Sequence, residues 1–324
     1  MKRLHSSRNV KMETHLKMTV PRSRHAFLLL AMTAAFAVAG QAQNPLDETI
    51  PPGANFDKAA FRLWYPPDAT RIQAVVVLVP GSNGDGRPEA DDIFWRDFAA
   101  RHQLALLGCQ FTDKPHEQNF IEQYANVSLG SGQALLDALT ALARRSGHAE
   151  LAGAPLFLWG MSAGGEFNYE FVAWKPERVA AFVVNKGGIY FTALTSGAAR
   201  SVPGLLFIGG KDLESRRNAI TGLFSLNRRG AALWALTEEP GAAHIVGRSR
   251  DMAAMLFEDV LALRVDKSVL KPLSAEAGFI GDRKTKTFQP AAGSKPQTES
   301  TVWLPTERIA RAWQAVETEK PFDP

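Results

Sequence analysis

Short apolar runs alternate with helix-length segments through most of the chain. The run at residues 74–79 is continuous and rich in β-branched side chains, as in strands that are buried on both faces of a parallel sheet. We predict further strands at residues 60–65, 104–109, 155–159, 179–184, 205–208 and 231–236. Helices are predicted between them at residues 91–102, 126–145, 165–172, 215–228 and 250–264. This alternation predicts an α/β fold, with a mostly parallel central sheet and helices on both of its faces.

The pattern changes after residue 264. Residues 265–324 are rich in lysine, proline and threonine, and they contain no long apolar run. One short helix is predicted at residues 306–316, with Thr306 as its cap and an apolar side that would pack together with Trp303. We therefore predict a main domain at residues 43–264, which carries the candidate chemistry, and a C-terminal extension at residues 265–324 that packs on it.

Residues 1–42 have the three-part pattern of a secretory signal. A basic segment precedes the uncharged, mostly apolar residues 26–40, and the small residues Gly40 and Ala42 suit cleavage after Ala42. The apolar stretch is shorter than the roughly 20 residues that span a bilayer. The sequence thus predicts export to the periplasm or the medium without stable membrane insertion, and a retained anchor is the alternative.

The net positive charge of the chain comes from this leader. The chain has 37 lysines and arginines against 33 acidic residues, and seven of the basic residues but only Glu13 of the acidic ones lie in residues 1–42. The remainder is slightly acidic, so we expect no nucleic-acid partner. Cys109 is the single cysteine, which rules out an intramolecular disulfide.

A G-x-S-x-G motif stands between a predicted strand and a predicted helix. Its residues are Gly160, Met161, Ser162, Ala163 and Gly164. In a nucleophile elbow the serine takes strained backbone angles at such a turn, and the glycines let the strand and helix approach closely. The motif predicts Ser162 as a nucleophile, and an ordinary Gly/Ser turn is the alternative.

A serine nucleophile needs a general base and an acid that orients the base. In this type of fold the chain order is serine, acid, histidine. His244 is the one histidine that follows Ser162, and Asp212 follows the predicted strand at residues 205–208. Because reactive groups gather at the carboxyl ends of the strands, we predict that the three side chains meet there. Glu214 is the reserve acid, and the alternatives are a helix cap for Asp212 and a solvated loop position for His244.

Acyl transfer also needs donors for the developing oxyanion. The backbone N–H of Ala163 is one candidate, and the second is that of Ser82, with Asn83 as its reserve, in the glycine-rich loop after residues 74–79. This loop lacks the two common nucleotide-binding patterns, G-x-x-x-x-G-K-[ST] and G-x-G-x-x-G, which weakens a phosphate-binding interpretation.

Residues 60–264 resemble the α/β-hydrolase family, and within it secreted esterases similar to polyhydroxybutyrate depolymerases, feruloyl esterases and dienelactone-hydrolase-like proteins. The motifs that carry the resemblance are residues 160–165, the turn at 209–212 and the pair 243–244. The resemblance implies a serine-hydrolase fold with Ser162, Asp212 and His244 in the three catalytic roles. The chain departs from many members in having Pro80 where they have histidine, and in lacking the disulfides of many secreted depolymerases.

These observations predict an exported serine carboxylic-ester hydrolase that needs no metal or organic cofactor. Its substrate would be a small-molecule or polymer-linked ester, chosen by the loops at residues 111–125 and 186–202, with Asn83, Phe111 and Tyr190 as candidate substrate-binding residues. The expected aromatic rim consists of Phe111, His116, Phe120, Tyr124, Tyr190 and Phe191. The alternatives are a catalytically silent scaffold that binds carbohydrate or a protein partner, and a serine peptidase. The natural ester and the oligomeric state stay open.

Overall fold

The computed structural model of the protein describes residues 45–118, 120–294 and 298–322, which fall within one compact unit, residues 43–324. The predicted leader lies outside the described residues. No helix in the described ranges is both long enough and apolar enough to cross a bilayer.

The central sheet of the described chain has eight strands in the order β1-β2-β4-β3-β5-β6-β7-β8. The strands are β1 (Leu46–Ile50), β2 (Lys58–Trp64), β3 (Val75–Val79), β4 (Ala105–Thr112), β5 (Leu156–Met161), β6 (Val179–Asn185), β7 (Gly204–Gly209) and β8 (Trp234–Glu239). β2 pairs antiparallel with both β1 and β4 at one edge of the sheet. From β4 to β8, neighbouring strands in this order pair parallel.

The helices of the described chain are α1 (Ile93–His102), α2 (Ser131–Ser146), α3 (Ala163–Trp174), α4 (Gly197–Arg200), α5 (Glu214–Arg229), α6 (Ser249–Arg264) and α7 (Glu307–Glu317). Short 3₁₀ turns join several of the elements. Every residue of β6 is buried, and the strand packs against both α3 and α6. A strand that exposes neither face to water must be covered on both, which is why its sequence is almost wholly apolar. The mostly parallel sheet and its helices confirm the predicted α/β-hydrolase fold.

The C-terminal extension packs against β8, the edge strand opposite β1. It contains a β9–β10 hairpin (Val265–Asp266 and Val269–Leu270), a three-stranded sheet in the order β12-β11-β13, and α7. The strands of that sheet are β11 (Phe279–Asp282), β12 (Thr287–Pro290) and β13 (Thr301–Leu304). Trp313 Nε1 on α7 donates to Leu236 O of β8 at 3.0 Å, and a carboxylate oxygen of Glu317 accepts from Glu238 N at 2.7 Å. Thr306 caps α7, because its hydroxyl accepts from Ile309 N at 3.2 Å.

Candidate active site

Ser162 lies at the sharp turn between β5 and α3. Its backbone has φ 55° and ψ −125°, a conformation that L-residues rarely adopt. The turn is held on both sides, because Ser162 N donates to Asn185 O at 2.8 Å and Ser162 O accepts from Gly165 N at 2.8 Å and Glu166 N at 3.1 Å. Such a constraint on a strained serine is typical of a functional site.

The glycines of the motif allow three elements to approach one another around Ser162. A Cβ on Gly164 would lie 2.1 Å from Val79 O at the end of β3, and one on Gly160 would lie 2.5 Å from the carbonyl of Gly164. No side chain fits at either position, so both residues must be glycine for β3, β5 and α3 to pack in this way.

Asp212 and His244 come together at the carboxyl ends of the strands. Asp212 follows β7, His244 lies between β8 and α6, and Asp212 Oδ2 is 2.8 Å from His244 Nδ1. The other carboxylate oxygen of Asp212 accepts from Leu213 N at 2.7 Å and from Arg216 at 3.3 Å. The carboxylate is 3% exposed and the imidazole 29%, so the ring extends from a buried acid toward solvent.

The two alternatives for the acid do not match this arrangement. Glu214 is an exposed residue in the first turn of α5, and His244 pairs with Asp212 instead. The N-cap position of α5 is occupied by Leu213, so Asp212 does not cap that helix.

The pKa of Asp212 lies below its ordinary value. Burial alone would raise it, but the hydrogen bonds from His244, Leu213 and Arg216 together outweigh this effect. Asp212 is therefore ionised at neutral pH and favours the tautomer of His244 that carries its proton on Nδ1, which leaves Nε2 able to accept a proton.

Asn185, the last residue of β6, connects the elbow to the loop that carries His244. Its carbonyl accepts from Ser162 N at 2.8 Å, while its side-chain nitrogen donates to Val246 O at 3.1 Å. One residue thus fixes the backbone of the serine relative to the segment of the histidine. In the described chain, Asp212 is the hydrogen-bond partner of His244, and Ser162 Oγ does not bond to the ring.

A buried ion pair, Lys186 with Glu239, supports the same loop. Lys186 Nζ bonds to one carboxylate oxygen of Glu239 and to Asn185 Oδ1, the latter at 3.0 Å, and both charged side chains are buried. The second oxygen of Glu239 accepts from Arg248 N at 2.6 Å. A Cβ on Gly247 would lie 2.2 Å from that same oxygen, so the loop closes tightly over the carboxylate. Sequence reasoning missed this pair, although Lys186 lies one residue beyond the apolar run at residues 179–184.

The loop after β3 carries Ser82, one of the two predicted oxyanion donors. A Cβ on Gly81 would lie 3.6 Å from Ser162 Cβ, so this loop is in contact with the elbow. Asn83 N donates to the Tyr124 hydroxyl at 3.1 Å, so this amide is not free to donate to an oxyanion. The N–H groups of Ser82 and Ala163 donate to no acceptor within the described residues, and they remain available to a developing negative charge.

The predicted substrate-binding residues have different environments. Asn83 lies at positive φ in the loop after β3. Phe111 is 1% exposed and stacks on Tyr124 and Phe167, so its assignment to the rim is wrong. β4 continues to Thr112 instead of ending at residue 109, which keeps this ring in the core. Tyr190 packs edge-on against Tyr169 and lines a cavity of about 440 Å³ beside α5.

Two buried carboxylates of α3 hold the loop that follows β6. Glu166 accepts from Gly188 N at 2.6 Å and from Ile189 N at 3.1 Å. Glu170, one turn later, accepts from the backbone amides of Phe191 and Thr192 at 2.8 and 2.9 Å. Burial raises the pKa of Glu166 to about 7, and the two amide hydrogen bonds only partly oppose this effect. The sequence analysis did not predict this contact, although two acidic residues four apart in an otherwise apolar helix are a signal that could have indicated it.

Neither a protein-family model nor a curated protein matches this chain in sequence. In the solved structures it is similar to poly(aspartic acid) hydrolase-1 from Sphingomonas sp. KT-1, with 15% identity, a TM-score of 0.47, and coverage of 66% of this chain and 98% of that one. It is also similar to a poly(3-hydroxybutyrate) depolymerase from Bordetella parapertussis, with 19% identity, a TM-score of 0.47, and coverage of 69% and 91%. An acetyl xylan esterase from Aspergillus awamori has 13% identity, a TM-score of 0.46, and coverage of 64% and 97%.

Proposed function

We propose that the protein is an exported serine hydrolase that cleaves carboxylic esters through an acyl-enzyme intermediate. The observation that carries this proposal is the strained serine at the end of β5, fixed by Asn185 to the loop of an Asp212–His244 pair. A hydroxyl, an imidazole and an ionised carboxylate at one sheet edge are the three groups that nucleophilic acyl transfer requires.

In the proposed reaction His244 Nε2 takes the proton of Ser162 Oγ as that oxygen attacks the ester carbonyl. The oxyanion accepts hydrogen bonds from the N–H groups of Ala163 and Ser82. Collapse of the tetrahedral intermediate breaks the bond to the alcohol, which leaves with the proton from His244. A water molecule, deprotonated by His244, then attacks the acyl-enzyme, and the acid leaves as Ser162 regains its proton. No metal or organic cofactor takes part.

The test is the Ser162→Ala variant with a short nitrophenyl ester as substrate. We expect kcat to fall by about 10⁶-fold, because the nucleophile is absent. Circular dichroism and the midpoint of urea unfolding serve as fold controls, and Ser128→Ala, an exposed serine, is the matched substitution. Undiminished hydrolysis by a folded Ser162→Ala protein would refute the proposal.

A catalytically silent scaffold is the second candidate, and the missing Ser162–His244 hydrogen bond favours it. Catalytic hydrogen bonds often form only when substrate is bound, so covalent labelling is a more direct test than the geometry. A fluorophosphonate probe labels Ser162 in an enzyme and leaves a silent scaffold unmodified. Turnover of an anilide with the same acyl group, compared with the ester, separates a peptidase from an esterase.

Export is a separate part of the proposal. It is supported by the sequence pattern of residues 1–42 and predicts a mature protein that begins at Gln43. Expression of the full chain, fractionation of the cells and N-terminal sequencing test this directly. A full-length N-terminus in the membrane fraction would establish the retained anchor instead.

A further inference from the structure

Arg216, in the first turn of α5, contacts the proposed catalytic acid. Its Nη1 donates to Asp212 Oδ1 at 3.3 Å, while Oδ2 of the same carboxylate bonds to His244. The arginine side chain is 25% exposed and the carboxylate 3%. An ion pair between two exposed residues four apart contributes little. Because this carboxylate is buried, its charge-assisted bond with the arginine can fix where the acid lies.

The aliphatic part of Arg216 packs on Gly188, in the loop that follows β6. A Cβ on Gly188 would lie 3.1 Å from Arg216 Cγ and 3.5 Å from its Nε, so the glycine and the arginine are in contact. Any side chain at position 188 would push the arginine aside by a few tenths of an ångström. The glycine therefore leaves the space that the guanidinium uses to reach Asp212.

Glu166 fixes this part of the loop to the helix that begins after Ser162. Its Oε1 accepts from Gly188 N at 2.6 Å and from Ile189 N at 3.1 Å. Its own backbone N–H donates to Ser162 O at 3.1 Å. Burial raises the pKa of Glu166, and the positive charge of Arg216 is among the groups that oppose this effect. The two charged side chains therefore interact across the loop.

These contacts complete a closed path around the three proposed catalytic residues. One half, described above, links the nucleophile to the loop of the base. The other half links Ser162 to Glu166 by a backbone hydrogen bond, and Glu166 to the loop at residues 188–189. It continues from this loop through Arg216 to Asp212. Each half thus joins the nucleophile to one member of the acid–base pair.

We propose that Arg216 is a positioning residue that fixes the carboxylate of Asp212 in the orientation needed to align His244. The loop at residues 188–189, anchored by Glu166, holds the arginine in place. This inference rests on the proposed function, because it assumes that the acid–base pair activates the serine. It gives the loop after β6 a part in catalysis that requires no contact with the substrate.

The main test compares Arg216→Met with Arg217→Met, which removes the next arginine of α5 and leaves the bonds of Asp212 in place. With a short nitrophenyl ester, we expect Arg216→Met to lower kcat about tenfold and to change KM by less than about twofold, because the substrate binds as before while the base is less well aligned. Arg216→Lys, which keeps a donor and the charge, should recover part of kcat. Arg217→Met should resemble the wild-type protein.

A second variant displaces the arginine without replacing it. Gly188→Ala keeps the backbone amide that Glu166 binds but crowds Arg216, and we expect kcat to fall about twofold to fivefold. Gly222→Ala is the matched control, because a Cβ at this position of α5 has no atom within 4 Å. In the double variant Arg216→Met/Gly188→Ala the second substitution should add no further loss, since no guanidinium remains to be displaced.

A spectroscopic measurement separates this inference from the proposed function. In the Ser162→Ala protein, the proton on His244 Nδ1 that faces Asp212 should give a downfield ¹H resonance that does not depend on turnover. Addition of Arg216→Met should shift or broaden this resonance. If the wild-type protein cleaves no ester and takes no fluorophosphonate label, the proposed function fails, and the resonance still reports whether Arg216 orients the pair.

Three results would overturn the inference. The first is wild-type kcat in a folded Arg216→Met protein. The second is a loss of kcat that accompanies a lower urea midpoint while the His244 resonance stays unchanged, which would show a merely structural role. The third is a loss of the same size in Arg217→Met.

Discussion

Acidic side chains lie on two sides of the candidate site, and the two sides differ in how those charges are paired and buried. On the side of the loop that carries His244, Lys186 and Glu239 form a buried ion pair. Lys186 also donates to the side chain of Asn185, and Glu239 also accepts from Arg248 N. On the side of the loop after β3, Glu122 has no partner among the described residues, and its carboxylate oxygens reach solvent. A buried network fixes a geometry because its charges satisfy one another, whereas a hydrated charge contributes little to that geometry. The difference indicates that the buried pair, and not Glu122, holds the candidate site in a fixed arrangement.

The largest expected effect comes from Asp212, the acid that is paired with His244. Asp212→Asn should lower kcat for a nitrophenyl ester by about 10⁴-fold, because an amide can stabilise the wrong tautomer of His244 and cannot stabilise its cation. Steady-state kinetics with active-site titration measure this loss. Glu214→Gln, on an exposed neighbour, is the control and should stay close to wild type. A loss of similar size in Glu214→Gln would instead assign the acid role to that residue.

The next effect comes from breaking the buried ion pair. Lys186→Met leaves the carboxylate of Glu239 without its counter-charge, and we expect the free energy of unfolding to fall by about 3–5 kcal/mol. Urea denaturation measures the change, and kcat should fall as well because the histidine loop loses a support.

The matched contrast lies on the other side of the site. Glu122→Gln removes a charge that has no partner, so it should change the unfolding free energy by less than about 1 kcal/mol. The double variant Lys186→Met/Glu239→Gln should recover part of the stability that Lys186→Met loses. Equal costs for Lys186→Met and Glu122→Gln would erase the distinction between the two sides.

A smaller effect concerns the pH dependence of stability. The pKa of Glu166 is raised to about 7 in the folded protein, against an ordinary value of 4.5, so the folded state binds more protons than the unfolded state between these values. This contribution is present in full below about pH 4.5 and is lost as the pH rises through 7, with a slope of at most about 1.4 kcal/mol per pH unit. Glu166→Gln should have a flatter profile between pH 5 and 7 by urea unfolding. Parallel wild-type and variant profiles in this range would contradict the assignment.

The residues that follow strands were the predictable part of the site. Ser162, Asp212 and His244 each come after an apolar run, and in a parallel sheet the carboxyl ends of such runs share one edge. Lys186 also follows an apolar run, but a lysine there is ordinarily solvated, and its partner Glu239 is 53 residues away. Burial of that pair depends on tertiary packing that no local pattern carries.

The fold also has one part that local sequence patterns predict and another part that they do not. The central strands were predictable from their apolar runs, whereas β1 was missed because only Leu46 and Ile50 of its five residues are apolar, which gives neither an apolar run nor an apolar/polar alternation. β8 was placed at residues 231–236 but lies at Trp234–Glu239, since the acidic end of the strand is buried by its partners and not by its own hydrophobicity. The strands of the extension are too short to give a clear period.

The contacts of α7 with β8 also have a consequence for association between molecules. The outermost strand of an open sheet carries backbone groups that could recruit a strand from another molecule. In this protein Trp313 and Glu317 engage the outward-facing carbonyl of Leu236 and amide of Glu238. The extension thus covers this edge and disfavours strand pairing between two molecules. Its C-terminal helix therefore opposes aggregation in addition to stabilising the fold.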